Sequence, residues 1–285
     1  MHGFLNLNKP VGISSHAVTA FARRCLKFQK IGHLGTLDPA ASGVLVLALG
    51  AATKLVEFLI HLPKIYLAEI KFGCESSTYD LAGEVRETPN VQSFAKADLL
   101  KILPEFTGRI LQIPPKFSAL KIRGQPAYIR ARRGEEFSLA ARSVTITALE
   151  VEHFAWPFVR LRIACSGGTY VRSLAHDLGV RLQTGAVLSK LKRLAVGDFL
   201  LANSLLLSQI SAAKVLPITS GIKFPKINLT KSEAQKILCG QKIPVRNPPG
   251  SSLLIGCSAQ NFLAILEFDS QKKLLKPKKV LVLSD

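Results

Sequence analysis

No two cysteines of this chain stand as a CxxC pair. Its five thiols, Cys25, Cys74, Cys165, Cys239 and Cys257, are odd in number and widely spread. That argues against a zinc site or a disulfide framework and fits a reducing cytosol, so a cytoplasmic protein is expected. Long apolar runs are missing too. The longest is Val44 to Ala52, whereas a bilayer span needs about 20 residues; no membrane helix is expected, and the first half of the run reads as buried strand. The opening residues Met1 to Pro10 hold no basic stretch followed by an apolar core, so no secretory leader is expected. GxxxxGK[ST], HExxH, GxSxG and a clustered Cys/His set are all absent, which removes the usual signatures of phosphate-loop, zinc-protease, serine-hydrolase and zinc-deaminase chemistry. Acidic residues are scarce: 19 Asp and Glu face 38 Lys and Arg, a net charge of +19. Such a surface attracts polyanions, nucleic acid first among them. A basic proteome or a solubility adaptation is the competing account, and charge does not decide between them.

What is present reads as a folded α/β chain. Ser14 and Ser15 can cap a helix over roughly Ala17 to Phe28, with Val18, Phe21, Ala22 and Cys25 on one face and Arg23, Arg24, Lys27 and Lys30 mostly elsewhere. A Gly/Pro-rich turn over 32–43 leads into the strand Val44 to Leu49 and a short helix near Thr53 to Ile60. Tyr66 to Phe72 reads as strand and Ala97 to Leu103 as helix. Residues 109–142 combine Arg109, Lys116, Lys121, Arg123, Arg130, Arg132, Arg133 and Arg142 with several prolines and glycines, and read as a partly irregular basic arm rather than core. Phe158 to Ser166 alternates as a half-buried strand. Gly167 and Gly168 break it before a helix from about Thr169 to Leu182. The pattern weakens over Ser211 to Lys226, where a linker is expected. Thr230 to Glu233 forms a capping box and Gly240 a helix stop. Strands are expected near Ser252 to Cys257, Phe262 to Phe268 and Lys279 to Leu283, making a small β-rich appendage.

One carboxylate stands out. Asp38 lies among three glycines and precedes Pro39, which pushes it out of helical geometry onto a loop before a buried strand. From physics alone an Asx turn is the simpler account. The segment Gly32-His33-Leu34-Gly35-Thr36-Leu37-Asp38-Pro39, followed by Ala41-Ser42-Gly43-Val44-Leu45, resembles the catalytic motif of the TruB family of tRNA pseudouridine synthases. Leu7-Asn8-Lys9-Pro10-Val11-Gly12-Ile13-Ser14-Ser15 resembles the family's N-terminal motif, and Lys64-Ile65-Tyr66 the strand with its active-site tyrosine. Phe117-Ser118-Ala119-Leu120-Lys121 with Gly124 and Tyr128 resembles its RNA-gripping thumb. Cys165 to Leu174 resembles its arginine motif, and Leu191 to Val196 closes the set. The blocks occur in the family's order over most of residues 3–200. Asn8, Pro63 and Phe117 depart from common family choices, and the acidic/Thr loop over 74–83 is only partly kept, with Asp80 and Gly83 matching.

The resemblance implies a pseudouridine synthase fold, an α/β (α+β) domain with a mixed, largely antiparallel sheet over 1–212, its thumb at 109–142, and a PUA-like RNA-binding domain at 226–285. It implies isomerisation of uridine to pseudouridine at uridine-55 of the tRNA T-loop, on a flipped-out base, with no cofactor, no metal and no obligate protein partner. Asp38 is the implied nucleophile, by attack on C6 of the base or on C1′ of the sugar. Arg172 is its partner, and Tyr66 stacks on the base and is a candidate proton acceptor. Tyr170 and Leu191 shape the pocket, and His33 contacts displaced loop nucleotides. Asp80, Lys9, Lys121 and Tyr128 are further implied RNA-side residues. The T-arm, and through the tail the acceptor stem, are the implied contacts. A guide-RNA-dependent synthase and a non-catalytic tRNA-folding chaperone are the alternatives.

Overall fold

The computed structural model describes every residue except 123, 246–249, 260 and 282–285. Arg123 of the basic arm, Arg246 and Asp285 of the tail, and the end of the strand expected to reach Leu283 therefore lie outside the described residues.

The chain opens with β1 (Gly3–Lys9), whose residues are nearly all buried. Helix α1 (Ser15–Leu26) follows. The Ser14 side chain accepts from the Ala17 amide at 3.1 Å, and Lys27 ends the helix in a left-handed conformation at φ 48°. Short β2 (Ile31–His33) and the turn-rich loop lead to β3 (Ser42–Leu49). The helix expected over 53–60 is split: Gly50–Leu55 is a tighter 3₁₀ turn, and only α2 (Val56–Leu59) is α-helical. Next come β4 (Lys64–Phe72), a hairpin of β5 (Cys74–Ser76) and β6 (Val85–Glu87), and α3 (Lys96–Ile102).

The basic arm is not wholly irregular. Its start, β7 (Gly108–Gln112), joins the main sheet; β8 (Lys121–Ile122), β9 (Gln125–Pro126) and α4 (Ala127–Arg132) form a small hairpin-helix beyond it. β10 (Arg142–Ala155) and β11 (Phe158–Cys165) pair across a tight turn, α5 (Val171–Arg181) follows, and β12 (Ala186–Val196) with β13 (Phe199–Leu200) completes the larger sheet. Its order is β1-β3-β12-β4-β11-β10-β7, with β2 on β3 and β13 on β12. Only the β12–β3 pairing is parallel, so the sheet is mixed and largely antiparallel.

The β3–β12 junction explains one glycine. A Cβ on Gly43, which has φ +102°, would lie 2.2 Å from the Arg193 carbonyl oxygen. No side chain fits where β12 enters the sheet. On one face, Tyr66, Ala68 and Ile70 of β4 pack with Leu161 and Ile163 of β11 under Leu174 and Leu178 of α5.

The tail holds β14 (Lys226–Asn228), α6 (Lys231–Leu238) with its Thr230–Glu233 capping box, β15 (Ile243–Pro244), β16 (Leu253–Ser258), β17 (Asn261–Asp269) and β18 (Leu274–Val280). β18 lies earlier than the strand expected at Lys279 to Leu283. These five strands form a second sheet, β14-β16-β17-β18-β15. Its Ile255, Cys257, Phe262 and Ile265 share one apolar cluster with Phe4, Val44, Val46 and Phe199 of the larger sheet. Lys279 pairs with Glu57 at 2.7 Å, and Lys54 donates to the Val280 carbonyl at 2.8 Å. The expected linker is itself tied down, since Phe4 and Leu216 exchange backbone bonds of 3.0 and 2.7 Å.

Candidate active site

The loop between β2 and β3 carries Asp38 and is stapled from several sides. The Ser15 hydroxyl donates to the Leu37 carbonyl and accepts from the Leu37 amide, both at 2.8 Å. From β1, the buried Lys9 Nζ donates to the carbonyls of Pro10 (2.8 Å), Ile13 (2.7 Å) and Pro39 (3.4 Å). From β12, Arg193 donates to Val44 (2.7 Å), Thr36 (3.3 Å) and Gly35 (3.2 Å). The Asp38 carbonyl accepts from the Ala41 amide at 3.0 Å, closing the turn. Backbone and turn partners thus fix the loop and leave the carboxylate free to project.

That carboxylate meets Arg172. Arg172 Nε lies 3.1 Å from Asp38 Oδ2, and Nη1 lies 3.5 Å from Asp80 Oδ2. The guanidinium also donates to the carbonyls of Thr78 (3.2 Å) and Phe117 (3.0 Å). Its side chain is only 8% exposed, against 41% for Asp38. One buried cation therefore orients two carboxylates and clamps two loops, while the Asp38 oxygens stay reachable. Asp80 is held in turn, Oδ1 accepting from the Thr78 hydroxyl and from the Ala82 amide at 3.0 Å. Asp38, Asp80 and Leu191 line a common cavity of about 170 Å³, with Ala41, Leu81 and Leu188 among its walls.

The other residues singled out from the sequence are placed as follows. Tyr66 on β4 is nearly buried, and burial pushes its hydroxyl above the ordinary phenol range, opposed by the neighbouring Arg193. Tyr170, just before α5, is likewise pushed up by burial; its backbone is fixed by Gln112, which donates to its carbonyl at 3.0 Å and accepts from its amide at 2.8 Å. His33 on β2 is held below its ordinary value by burial and then by Arg193 and His16, and its Nδ1 is buried with no hydrogen-bond partner among the described residues. Leu191 packs on the α5-covered core at the cavity edge. Lys121 and Tyr128 stand exposed on the arm, with the Arg132 guanidinium 5.6 Å from the Tyr128 ring centre. Lys9 is not at the surface, and all three of its contacts are backbone carbonyls beneath the loop.

Two buried cations escaped sequence reasoning. Arg193 is 1% exposed. Lys64 Nζ donates to the carbonyls of Ile60 and Leu62, both at 2.8 Å. The available signal was parity: Leu191 and Arg193 share one side of β12, opposite Lys190 and Lys192, so one cation sits on the apolar side.

Lys9 and Lys64 are both brought down to about 8, in each case chiefly by burial. The unfolded chain holds these protons to higher pH, so each group adds stability as pH rises from about 8 toward the ordinary lysine value. Below about 8 that contribution is absent. In urea titrations, Lys64→Met is expected to show a smaller rise in unfolding free energy between pH 7.5 and pH 9.5 than the native chain does. Equal rises would contradict the assignment.

Among the described residues no cluster of three metal-ligating side chains occurs, and no helix is long and apolar enough to cross a membrane. Residues 23–171 match the model of the TruB family pseudouridylate synthase N-terminal domain. Over 250 residues the chain is 44% identical to the tRNA pseudouridine synthase B of Carboxydothermus hydrogenoformans, covering 86% of each chain. It is 37% identical to that of Pelotomaculum thermopropionicum over 97% of this chain and 96% of the relative. Among solved structures, a Cbf5-Nop10-Gar1 complex aligns with a TM-score of 0.74 at 25% identity, covering 98% of this chain and 85% of the other. The fold, the shared blocks and the extent of the match lead to one assignment: the chain belongs to the TruB family of pseudouridylate synthases, and its activity is that of a tRNA pseudouridine synthase.

Proposed function

We propose that the enzyme isomerises uridine-55 in the T-loop of tRNA, with Asp38 as the nucleophile acting on a flipped-out base. The observation that carries this reading is the 3.1 Å pairing of Arg172 with an Asp38 carboxylate that is still accessible at the mouth of a cavity. A paired guanidinium aims a carboxylate, and a carboxylate so held can attack either C6 of the base or C1′ of the sugar. On either route the N1–C1′ bond breaks, the C5–C1′ bond forms, C5 loses a proton and N1 gains one. The sum is redox-neutral and needs no cofactor.

Tyr66 is assigned to stack on the base, Tyr170 and Leu191 to shape its pocket, and His33 to contact the displaced nucleotides. The base must leave its stack, at a cost of a few kcal/mol. Residues 109–142 are proposed to offset this by gripping phosphates through Lys121, Arg130 and Arg132, with Tyr128 beside them. Residues 1–212 then form the catalytic domain, and 226–285, bearing Lys226, Lys231, Lys236, Lys272 and Lys273, a second RNA-binding unit for the acceptor arm. Lys9 acts through the loop it holds. A cytoplasmic protein working without a guide RNA fits the two relatives at 44% and 37% identity, both called tRNA pseudouridine synthase B.

The test is an unmodified tRNA transcript incubated without cofactor, with pseudouridine mapped by base-specific chemical labelling. One product at the T-loop uridine is expected, lost when that uridine is replaced by cytidine. Binding without product would favour the chaperone reading, and product at another position would overturn the assigned substrate.

A further inference from the structure

Arg193 is an expensive residue to bury. Its side chain is among the largest fully enclosed in the protein, at 1% exposure, and no carboxylate pairs with it among the described residues. A staple for the loop needs only hydrogen-bond donors. A buried charge without a counter-anion costs several kcal/mol and calls for another explanation.

The register of the sheet supplies a partner. Arg193 on β12 stands directly opposite Tyr66 on β4 in the register, so the two side chains leave the sheet on the same side, and Arg193 is among the charged groups near the Tyr66 hydroxyl. The same guanidinium donates to Gly35, Thr36 and Val44, which flank the Asp38 turn. A guanidinium has donors only, so toward Tyr66 it can serve only the phenol oxygen.

We propose that Arg193 is a positioning residue for the isomerisation: one buried guanidinium fixes the Tyr66 hydroxyl and the Asp38 loop relative to each other. This rests on the reading that Tyr66 faces the nucleobase. The spacing between the tyrosine and the nucleophile is then set by a single rigid fork. Burial disfavours charge on the phenol, and Arg193 opposes that; Cys165 and Asp38 are the other ionisable groups near the hydroxyl, while Lys64, Lys9 and His33 face Arg193 itself.

The test is a double-mutant cycle on the full chain, read as single-turnover rate with tRNA affinity measured alongside. Arg193→Lys keeps the buried charge and loses the fork. It is expected to slow the reaction by about 10- to 100-fold with affinity changed less than threefold. In a Tyr66→Phe background the same substitution should cost less than about threefold, because the pair acts as one unit. Equal losses in both backgrounds would make Arg193 a loop staple only and overturn the proposal. Tyr66→Phe turning over at the wild-type rate would also overturn the proposal, because phenylalanine keeps the stacking ring and loses only the hydroxyl; loss of activity in Tyr66→Ala but not in Tyr66→Phe would leave the stacking role of Tyr66 standing without it.

Two NMR measurements guard against variants that do not fold. The chain has only four tyrosines, so the Tyr66 ring signal can be assigned by its loss in Tyr66→Phe. In Arg193→Met its titration should move to higher pH; an unchanged titration counts against the proposal. Tyr66→Phe leaves every backbone contact of Arg193 in place, and the Arg193 side-chain nitrogen signals should shift when the hydroxyl is lost. Unchanged signals would overturn the proposal without any Arg193 variant.

Discussion

Asp38→Asn is expected to abolish pseudouridine formation, with a loss on the order of 10⁴ or more in single-turnover rate, the scale seen when a catalytic nucleophile is removed. The substitution keeps the shape of the side chain, so its effect isolates charge and nucleophilicity. Little else should move. The loop is held through the backbone by Ser15, Lys9 and Arg193, none of which touches the Asp38 carboxylate. Because the Asp38 side chain is 41% exposed, loss of its ion pair should cost no more than about 1 kcal/mol of stability. Affinity for tRNA, which the proposed function places mainly in phosphate contacts to basic residues, should stay within about threefold. The predicted outcome is an Asp38→Asn enzyme that binds normally, melts normally and makes no product. Product formed at more than about a hundredth of the wild-type rate would remove Asp38 from the nucleophile's role.

Elements whose local pattern agrees with their packing were legible in the sequence. α1 was, because Ser14 caps it and Val18 and Ala22 are buried at helical spacing, although Cys25, expected on the same face, is exposed and the polar Ser15 and Thr19 are buried in its stead. β11 was, because Val159, Leu161 and Ile163 alternate with exposed or half-exposed neighbours without interruption. β10 and β12 were not. Each carries two register shifts, between Ile146 and Ala148 and between Val151 and His153 in one, and between Leu188 and Lys190 and between Arg193 and Ala195 in the other. A bulge resets the inside-outside parity, so a strand of 14 or 11 residues reads as unrelated fragments. β18 was misplaced for a related reason: Pro277 argues against strand, yet it sits against Leu266 beside a register shift, where its missing amide is tolerated.

The site divides in the same way. Asp38 and Arg172 are 134 positions apart, and nothing local links a turn aspartate to a helix arginine; only the ordered motifs did. Arg172 even lies off the apolar face of α5 as the sequence presents it. It is buried because the loops carrying Thr78 and Phe117 close over the first turn of the helix, a long-range event that periodicity does not encode. Arg193 was missed because a cation on the apolar side of a strand contradicts the rule by which such sides are recognised.

Arg172→Met is expected to be the most damaging single change to both activity and stability. The substitution strands Asp80, which is held in a nearly buried turn, together with the Thr78 and Phe117 carbonyls, and it leaves Asp38 unaimed. Removing one partner of a buried ion pair costs about 3–5 kcal/mol, large against the total stability of a domain, and activity should be lost along with it. Arg172→Lys separates the two roles. A lysine returns the charge to the site, but as a single point on a flexible stem it cannot serve Asp38, Asp80 and two carbonyls at once. Stability should recover in part, while the single-turnover rate stays down by about 10²-fold or more. The Phe117 contact adds a further expectation: with it gone, residues 109–142 lose their tie to the site, so the lysine variant should also bind tRNA more weakly, and more so than Asp38→Asn does. If Arg172→Lys bound tRNA as the native enzyme does, the clamp on Phe117 would have no part in holding the arm. If it also turned over at the native rate, charge alone, and not the fork between two carboxylates, would account for the site.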